Sequence, residues 1–363
     1  MAEHIDINKI SDYFQNVHGN ITLGIDGYID EVWQLLDSRA GLGDYTVCQK
    51  MKSFGERIVS RGEGGITIEI VSKRKSCGGF TGNTSRAVSG LGLRPTIIGM
   101  YGRGSVNPVF AEMESGGNLI SIGEPAVSHI YEFEDGKVML PYIQSILELD
   151  WDSLTEALGE QTLFDIYGSS DIFALGYWSS MHAFDEIVLN LCKKSKKKPK
   201  KMFYDFGDVT KREPESLLKT LSLLGELDSY VPMALSLNEH EADSLFACYG
   251  ESFPLDGYAA EKGVSAIRAR IGISELIVHT PYFAVMSSAE EGGVTAVQAH
   301  CERPVRTTGA GDTFNGGYLT AGLGGLNAYE RLAAANAATS CYVKRGNCPD
   351  CGQLVDEMTL QMK

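Results

Sequence analysis

The chain has 363 residues, 43% of them hydrophobic, enough to bury a large core as one big α/β domain or as two ordinary ones. Its 32 basic and 47 acidic residues give a formal charge of -15, which disfavours a general nucleic-acid binder, because that affinity rests on Lys and Arg neutralising phosphates. No run of about 18 apolar residues is present and the opening MAEHIDINKISDYF is polar, so no membrane span or secretory signal is expected and a soluble cytoplasmic protein follows.

The first strand candidate is ITLGIDG (21–27), and Gly24-Ile25-Asp26-Gly27-Tyr28-Ile29-Asp30 leads out of it. Ligands in open α/β sheets bind beyond the carboxyl ends of strands, so Asp26 and Asp30 can accept hydrogen bonds from sugar hydroxyls, although turn formation explains an acid there as well. GITIEIV (65–71) alternates apolar with polar residues, as a half-exposed antiparallel strand does. Ser76-Cys77-Gly78-Gly79-Phe80-Thr81-Gly82-Asn83 precedes a helix running to Gly90. Glycines such as Gly79 permit close approach to a ligand, and Asn83 can cap the helix or offer a donor and an acceptor to a polyol.

PTIIGMYG (95–102) is a further strand, followed by a helix over 108–115. VSHIYEFEDGKVML (127–140) alternates again, with a turn at Glu134-Asp135-Gly136, and joins 65–71 in a small flap inserted near 55–75 and 126–143 of one continuous domain. A helix-rich stretch, LELDWDSLTEALGEQT, follows, in which Trp151 reads as core or flap support. DIFALGY, KMFYDFG, MALSLN and ELIVHT are then strands, alternating with helices over 184–192, 214–224, 239–248 and 258–271. That rhythm is the βα pattern of a largely parallel sheet. The lysine run between 193 and 201 reads as a solvated loop. The eight cysteines read as reduced thiols, and Cys348 and Cys351 have CxxC spacing without the second pair that zinc needs.

Asn238-Glu239-His240-Glu241 closes the MALSLN strand. Asn238 is placed to cap the next helix. The stretch VRTTGAGDTFNGG (305–317) puts small residues at a helix N-terminus, where backbone N–H groups lack partners and the helix dipole is positive. A phosphate fits such a place, and Asp312 beside it is positioned to take the proton that an acceptor hydroxyl loses in phosphoryl transfer. The stretch is neither a Walker A loop nor a Rossmann GxGxxG.

Taken together, the Asp after the first strand, the GG…N segment, the NxxE element and the late TTGAGDTFNGG resemble, in order and over nearly the whole chain, the ribokinase-like (PfkB-type) carbohydrate and nucleoside kinases. The resemblance implies a three-layer α/β/α fold with a mostly parallel central sheet and a small β-strand lid. It also implies an ATP- and magnesium-dependent kinase acting on a hydroxyl of a small sugar or sugar-like alcohol. The family alternatives are a nucleoside kinase and a non-catalytic ligand-binding relative.

By the same resemblance Asp312 is the catalytic base and Gly309, Ala310 and Gly311 form the anion hole, with Thr308 in the same turn. Asp30, Asp26, Gly79 and Asn83 bind substrate, and Asn238 and Glu241 lie near magnesium. Thr280, Asn336 and Gly346 lie on the nucleotide side, and Asp205-Phe206-Gly207-Asp208, with Arg212, matches a strand-end segment contacting phosphate or structure. The chain departs from the family at Thr280-Pro281-Tyr282-Phe283, where members carry a Gly-containing loop, and at Arg103, where an Asp is usual. Lid strands with exposed edges suggest a homodimer through the lid.

Overall fold

The computed structural model describes residues 5–298 and 300–361. Its strands, in chain order, are β1 Ile21–Gly24, β2 Tyr28–Arg39, β3 Tyr45–Val47, β4 Ile70–Gly78, β5 Thr96–Gly99, β6 Asn118–Ser121, β7 Ala126–Phe133, β8 Gly136–Tyr142, β9 Ile172–Gly176, β10 Lys201–Asp205, β11 Met233–Asn238, β12 Glu275–His279, β13 Phe283–Ser288 and β14 Gly292–Val297. The central sheet has the order β14-β13-β12-β11-β10-β9-β1-β5-β6. It is parallel from β12 to β6, and β13 and β14 extend it as an antiparallel meander.

Alternate residues of the central strands bury into different layers, as the two-residue period of a strand requires. Phe173, Leu175, Met202, Tyr204, Leu235 and Val278 join one core with the helices Phe184–Lys194, Pro214–Leu227 and Gly257–Ile271. Ile172, Ala174, Phe203, Ala234 and Ile277 join the other, against the helices Gly79–Gly90, Ala310–Ala321 and Ala328–Arg345. This is the three-layer α/β/α arrangement. No described helix is long and apolar enough to cross a membrane.

The second sheet is the lid, ordered β3-β2-β7-β8, with β4 pairing Tyr28–Leu35 of β2 while β3 pairs the end of that strand from Leu36 to Arg39. Its hairpin turns between Phe133 and Gly136, where the sequence places it. The 65–71 strand needs correction: residues 65–69 lie outside the sheet, and β4 runs from Ile70 through the polar Ser72-Lys73-Arg74-Lys75-Ser76 to Gly78. Residues 55–60, placed in the flap as strand, belong to the helix Met51–Ser60. The lid is solvated on one side, so β4 has little apolar content to reveal its period.

The two helices that carry the sequence-predicted site cross at very short range. A Cβ added at Gly316 would stand 2.4 Å from the Ala87 Cβ, and one at Gly317 would stand 2.9 Å from the Ala338 Cβ. Glycine lets Ala310–Ala321 press against Gly79–Gly90 on one side and Ala328–Arg345 on the other. Part of the small-residue run after Asp312 therefore serves packing. Gly316→Ala should destabilise the chain by about 1–3 kcal/mol, since overpacking forces the backbones apart. Urea unfolding checks this, with a lowered midpoint and an unchanged slope.

Candidate active site

Because the two helices cross closely, their N-terminal turns open side by side. The helix Gly79–Gly90 has no cap of its own, and Asp26 supplies one from the loop after β1. Its Oδ2 accepts from the Phe80 N–H at 2.7 Å, and its Oδ1 accepts from the Thr81 N–H at 3.0 Å and from the Thr81 hydroxyl. Gly79, at φ +79°, allows this approach, since a Cβ there would meet Asp26 Oδ2 at 2.6 Å. Both Asp26 oxygens are thus committed to the fold, which corrects the expectation of a hydroxyl-binding role for it. Burial pushes its carboxyl up to about 7 despite those bonds.

Asp30 differs. It is the third residue of β2, in register with Ser76 of β4 and Ser128 of β7, and its carboxylate lies over Gly78. Among the described residues no group donates a hydrogen bond to it. Burial raises its pKa, and Lys137, Arg86, Arg306 and Arg74 oppose the rise.

Asn83 lies inside the helix and does not cap it. Its Nδ2 donates to Asp312 Oδ2 at 2.9 Å, and its Oδ1 accepts from Arg86 Nη1 at 2.8 Å. The other Asp312 oxygen, Oδ1, accepts from the Tyr177 hydroxyl at 2.9 Å. Asp312 is therefore held from both sides in the first turn of its helix, whose N-cap Gly309 takes φ +89°. The Ala310 N–H already donates to the Thr307 carbonyl at 3.0 Å. Of the small-residue turn, the Gly311 N–H, with that of Asp312, is what the first turn presents without a helical partner.

Carboxylates crowd this end of the sheet. Asp312, Asp205, Asp208 and Glu241 line a cleft of about 250 Å³ together with Tyr177, His279 and Lys211. Burial pushes Asp312 well above the usual carboxylate range, and Asp205 and Asp26 add to the rise while Asn83 and Tyr177 oppose it. Glu241 is pushed up to about 9 by burial and then by Asp205. Asp205 reaches about 6 through burial, although its oxygens accept from the Gly207 N–H at 2.8 Å and Asn315 Nδ2 at 2.7 Å. Asn238 and Glu241 form a reciprocal cap: Glu241 N–H donates to Asn238 Oδ1 at 3.0 Å, and Asn238 N–H donates to Glu241 Oε2 at 2.9 Å. The cap that the sequence allowed for Asn238 is thus present, and the second Glu241 oxygen is left over.

A second cleft, of about 360 Å³, adjoins the first through Asn238, His279 and Gly311. Thr280, Gln298, Thr339 and Val343 are on its walls, and a stacked Tyr282–His300 pair, 4.8 Å between centroids, stands beside it. The Thr280 hydroxyl is consumed by the turn that replaces the family's glycine loop, accepting from the Tyr282 and Phe283 N–H groups. Two nucleotide-side expectations are corrected. Asn336 is fully buried, donating to the Ala296 carbonyl at 3.0 Å, and the residues of its helix that reach the cleft are Thr339 and Val343. Gly346 ends that helix at φ +81° and borders a different cavity.

The lid touches the site through Lys137, whose Nζ donates to the Thr308 hydroxyl at 2.6 Å. Two acids of the lid, Glu132 and Glu134, are spent on ion pairs with Lys73, Arg74 and Lys50. Sequence reasoning missed Tyr177, whose signal is its place just after the β9 strand, at the carboxyl edge of the sheet. His279, a half-buried ring at the end of β12, packs 4.7 Å from Phe314 and lines both clefts. Burial lowers its pKa to about 4, so it is neutral near pH 7.

A family model for prokaryotic ketohexokinase matches residues 9–359. A ketohexokinase from Haloferax volcanii is 27% identical over 342 residues, spanning 93% of this chain and 90% of that protein. Among solved structures, phosphofructokinase-2 from Escherichia coli, in complex with substrates and products, superposes with a TM-score of 0.66 at 13% identity, over 95% of this chain and 100% of that one. The ribokinase of Arabidopsis thaliana, complexed with ribose and ATP, gives 0.61 at 16% identity, over 94% and 99%. These structures share the ribokinase fold with the chain. By its sequence the chain belongs to the prokaryotic ketohexokinase family, a carbohydrate kinase of the ribokinase type.

Proposed function

We propose that the chain phosphorylates a hydroxyl of a ketohexose-like sugar at the expense of ATP and magnesium, with Asp312 as the base. The observation that carries this reading is the Asp312 carboxylate, buried at a helix N-terminus and fixed by Asn83 and Tyr177 next to two adjoining clefts. An acceptor hydroxyl in reach of Asp312 gives up its proton there as it attacks. The Gly311 and Asp312 N–H groups, at the positive end of the helix, hold the charge that develops on the transferring group. Asp30, with no donor of its own, accepts from the hydroxyls of the sugar and so turns the reacting one toward Asp312. Lys137 closes the lid over them and keeps out water, which competes as acceptor.

Magnesium suits the crowded acids, because hard oxygen donors that raise one another's pKa are relieved by a cation. Glu241, through its uncommitted oxygen, and Asp205 are the residues to hold it through water, and Asn238 positions Glu241. When bound, magnesium-ATP supplies the phosphoryl group and neutralises charge on it. The nucleotide fits the 360 Å³ cleft, with Thr280 in its wall and Thr308 at the loop leading into Gly309.

A nucleoside acceptor would need an apolar or aromatic slot for its base near Phe80, Tyr28 or the lid. Phe80 is fully buried, 6.2 Å from the Tyr177 ring, and Tyr28 is 8% exposed, so neither is open to a base. A sugar acceptor is favoured, and a panel of ketohexoses, aldoses and nucleosides tests it. Leu140 and Tyr142, 55% and 64% exposed on the edge strand β8, support association of two chains through their lids.

Asp312→Asn should lower kcat by about 10²- to 10⁴-fold, the usual worth of a general base, and leave KM for both substrates within a few-fold. Turnover within tenfold of the parent, in a variant with an unchanged melting temperature, would remove Asp312 from this role.

Glu241 gives a second expectation. Its folded pKa is raised from 4.5 to about 9, so its stabilising contribution is complete below the unfolded value and is lost as pH rises toward 9. Glu241→Gln keeps the cap acceptor without the charge and should be more stable than the parent by on the order of 1–2 kcal/mol near pH 8, with the gain vanishing near pH 4.5. Thermal melts across pH check this, and magnesium should close the gap by stabilising the parent.

A further inference from the structure

Tyr342 and Gly346 face a third cleft, of about 530 Å³, which none of the roles above uses. Two guanidinium groups, Arg86 and Arg306, stand in its wall with the side chains of Ser76, Ser89 and Asn347. In a chain of formal charge -15 such a pairing of cations is notable. Arg306 has no carboxylate within salt-bridge distance among the described residues, and its guanidinium lies 5.5 Å from the Tyr342 ring centroid. The one acid of the wall, Glu112, reaches Arg86 Nε at 3.3 Å from a side chain 70% exposed, free to swing away. Arginine forks and hydroxyls suit a tetrahedral oxyanion.

We propose that this cleft binds a small phosphate-bearing anion and that its occupancy is felt at Asp312. Arg86 Nη1 donates to Asn83 Oδ1 at 2.8 Å, and Asn83 Nδ2 donates to Asp312 Oδ2 at 2.9 Å. An anion drawing Arg86 into the cleft competes with Asn83 and with the Cys77 carbonyl, which accepts from Arg86 Nη2 at 2.6 Å, and loosens the amide that orients Asp312. On the opposite wall, the Tyr342 hydroxyl donates to the Thr308 carbonyl at 2.5 Å, tying the cleft to the loop before Gly309. Anion binding then lowers kcat, and to the extent that it also weakens acceptor binding, a bound acceptor weakens the anion by that same affinity factor.

Calorimetric titration of the full chain with inorganic phosphate tests the site without any assay of kinase activity. The expected result is saturable binding at one site, not displaced by ATP and weakened at least about tenfold, or 1.4 kcal/mol, in Arg306→Ala. Ser89→Leu, which fills the cleft one helical turn after Arg86 and leaves both arginines in place, should weaken it likewise. Absence of saturable binding up to tens of millimolar, displacement by ATP, or full binding in both variants overturns the proposal. A sugar phosphate monoester separates the two sources of the anion. If it is phosphorylated with an Arg306-dependent KM, the cleft takes the acceptor's own phosphate. If it lowers kcat without competing with the neutral sugar, the cleft takes a separate effector. Failure of the ketohexose panel leaves the calorimetric result standing, so the two readings fail separately.

Discussion

The site depends on how closely two helices can approach. Asn83 and Asp312 belong to segments 229 residues apart, and their 2.9 Å contact exists because the helices bearing them meet at glycine and alanine. A larger residue at Gly316 would part the backbones, and the first turns of both helices would then diverge. Asp26 works toward the same end, since a carboxylate donated from the first strand's loop fixes where the second helix begins. The fold thus uses one buried acid to place an amide and the amide to place another acid.

Around that pair the protein tolerates carboxylates in numbers that ordinary cores avoid. Burial alone penalises each, and the neighbours add mutual repulsion. Hydrogen bonds from Tyr177, Asn315 and the backbone offset part of this cost. Such a cluster is poor for stability and suited to an anionic reaction that arrives with its own cation.

Much of this was legible in the sequence, and the exceptions have physical reasons. Six of the seven strands of the parallel sheet stand out because both faces are buried, leaving short apolar runs bounded by glycine and polar residues, whereas the short edge strand β6 does not. The lid strand β4 did not, because Ser72 to Ser76 carry no apolar alternation, and β13 and β14 follow a turn whose glycine signal is missing. Asp312 was legible because small residues around an acid are unusual. The division of labour between Asp26 and Asp30 was not, since two acids four residues apart look alike until one is seen with its oxygens filled. Asn336 misled for the opposite reason: an amide on an alanine-rich helix shows its helix but not which way it faces. Tyr177 carries no motif, and only the sheet brings it to Asp312.

The crowded acids have one more consequence. With Glu241 and Asp312 raised furthest, the cleft favours protons on carboxyls that would ordinarily have released them near neutrality. A cation bound there, as proposed for magnesium, would lower those pKa values and send protons out into solution. The cleft thereby exchanges one kind of positive charge for another, and its net charge changes less than the incoming ion alone would suggest.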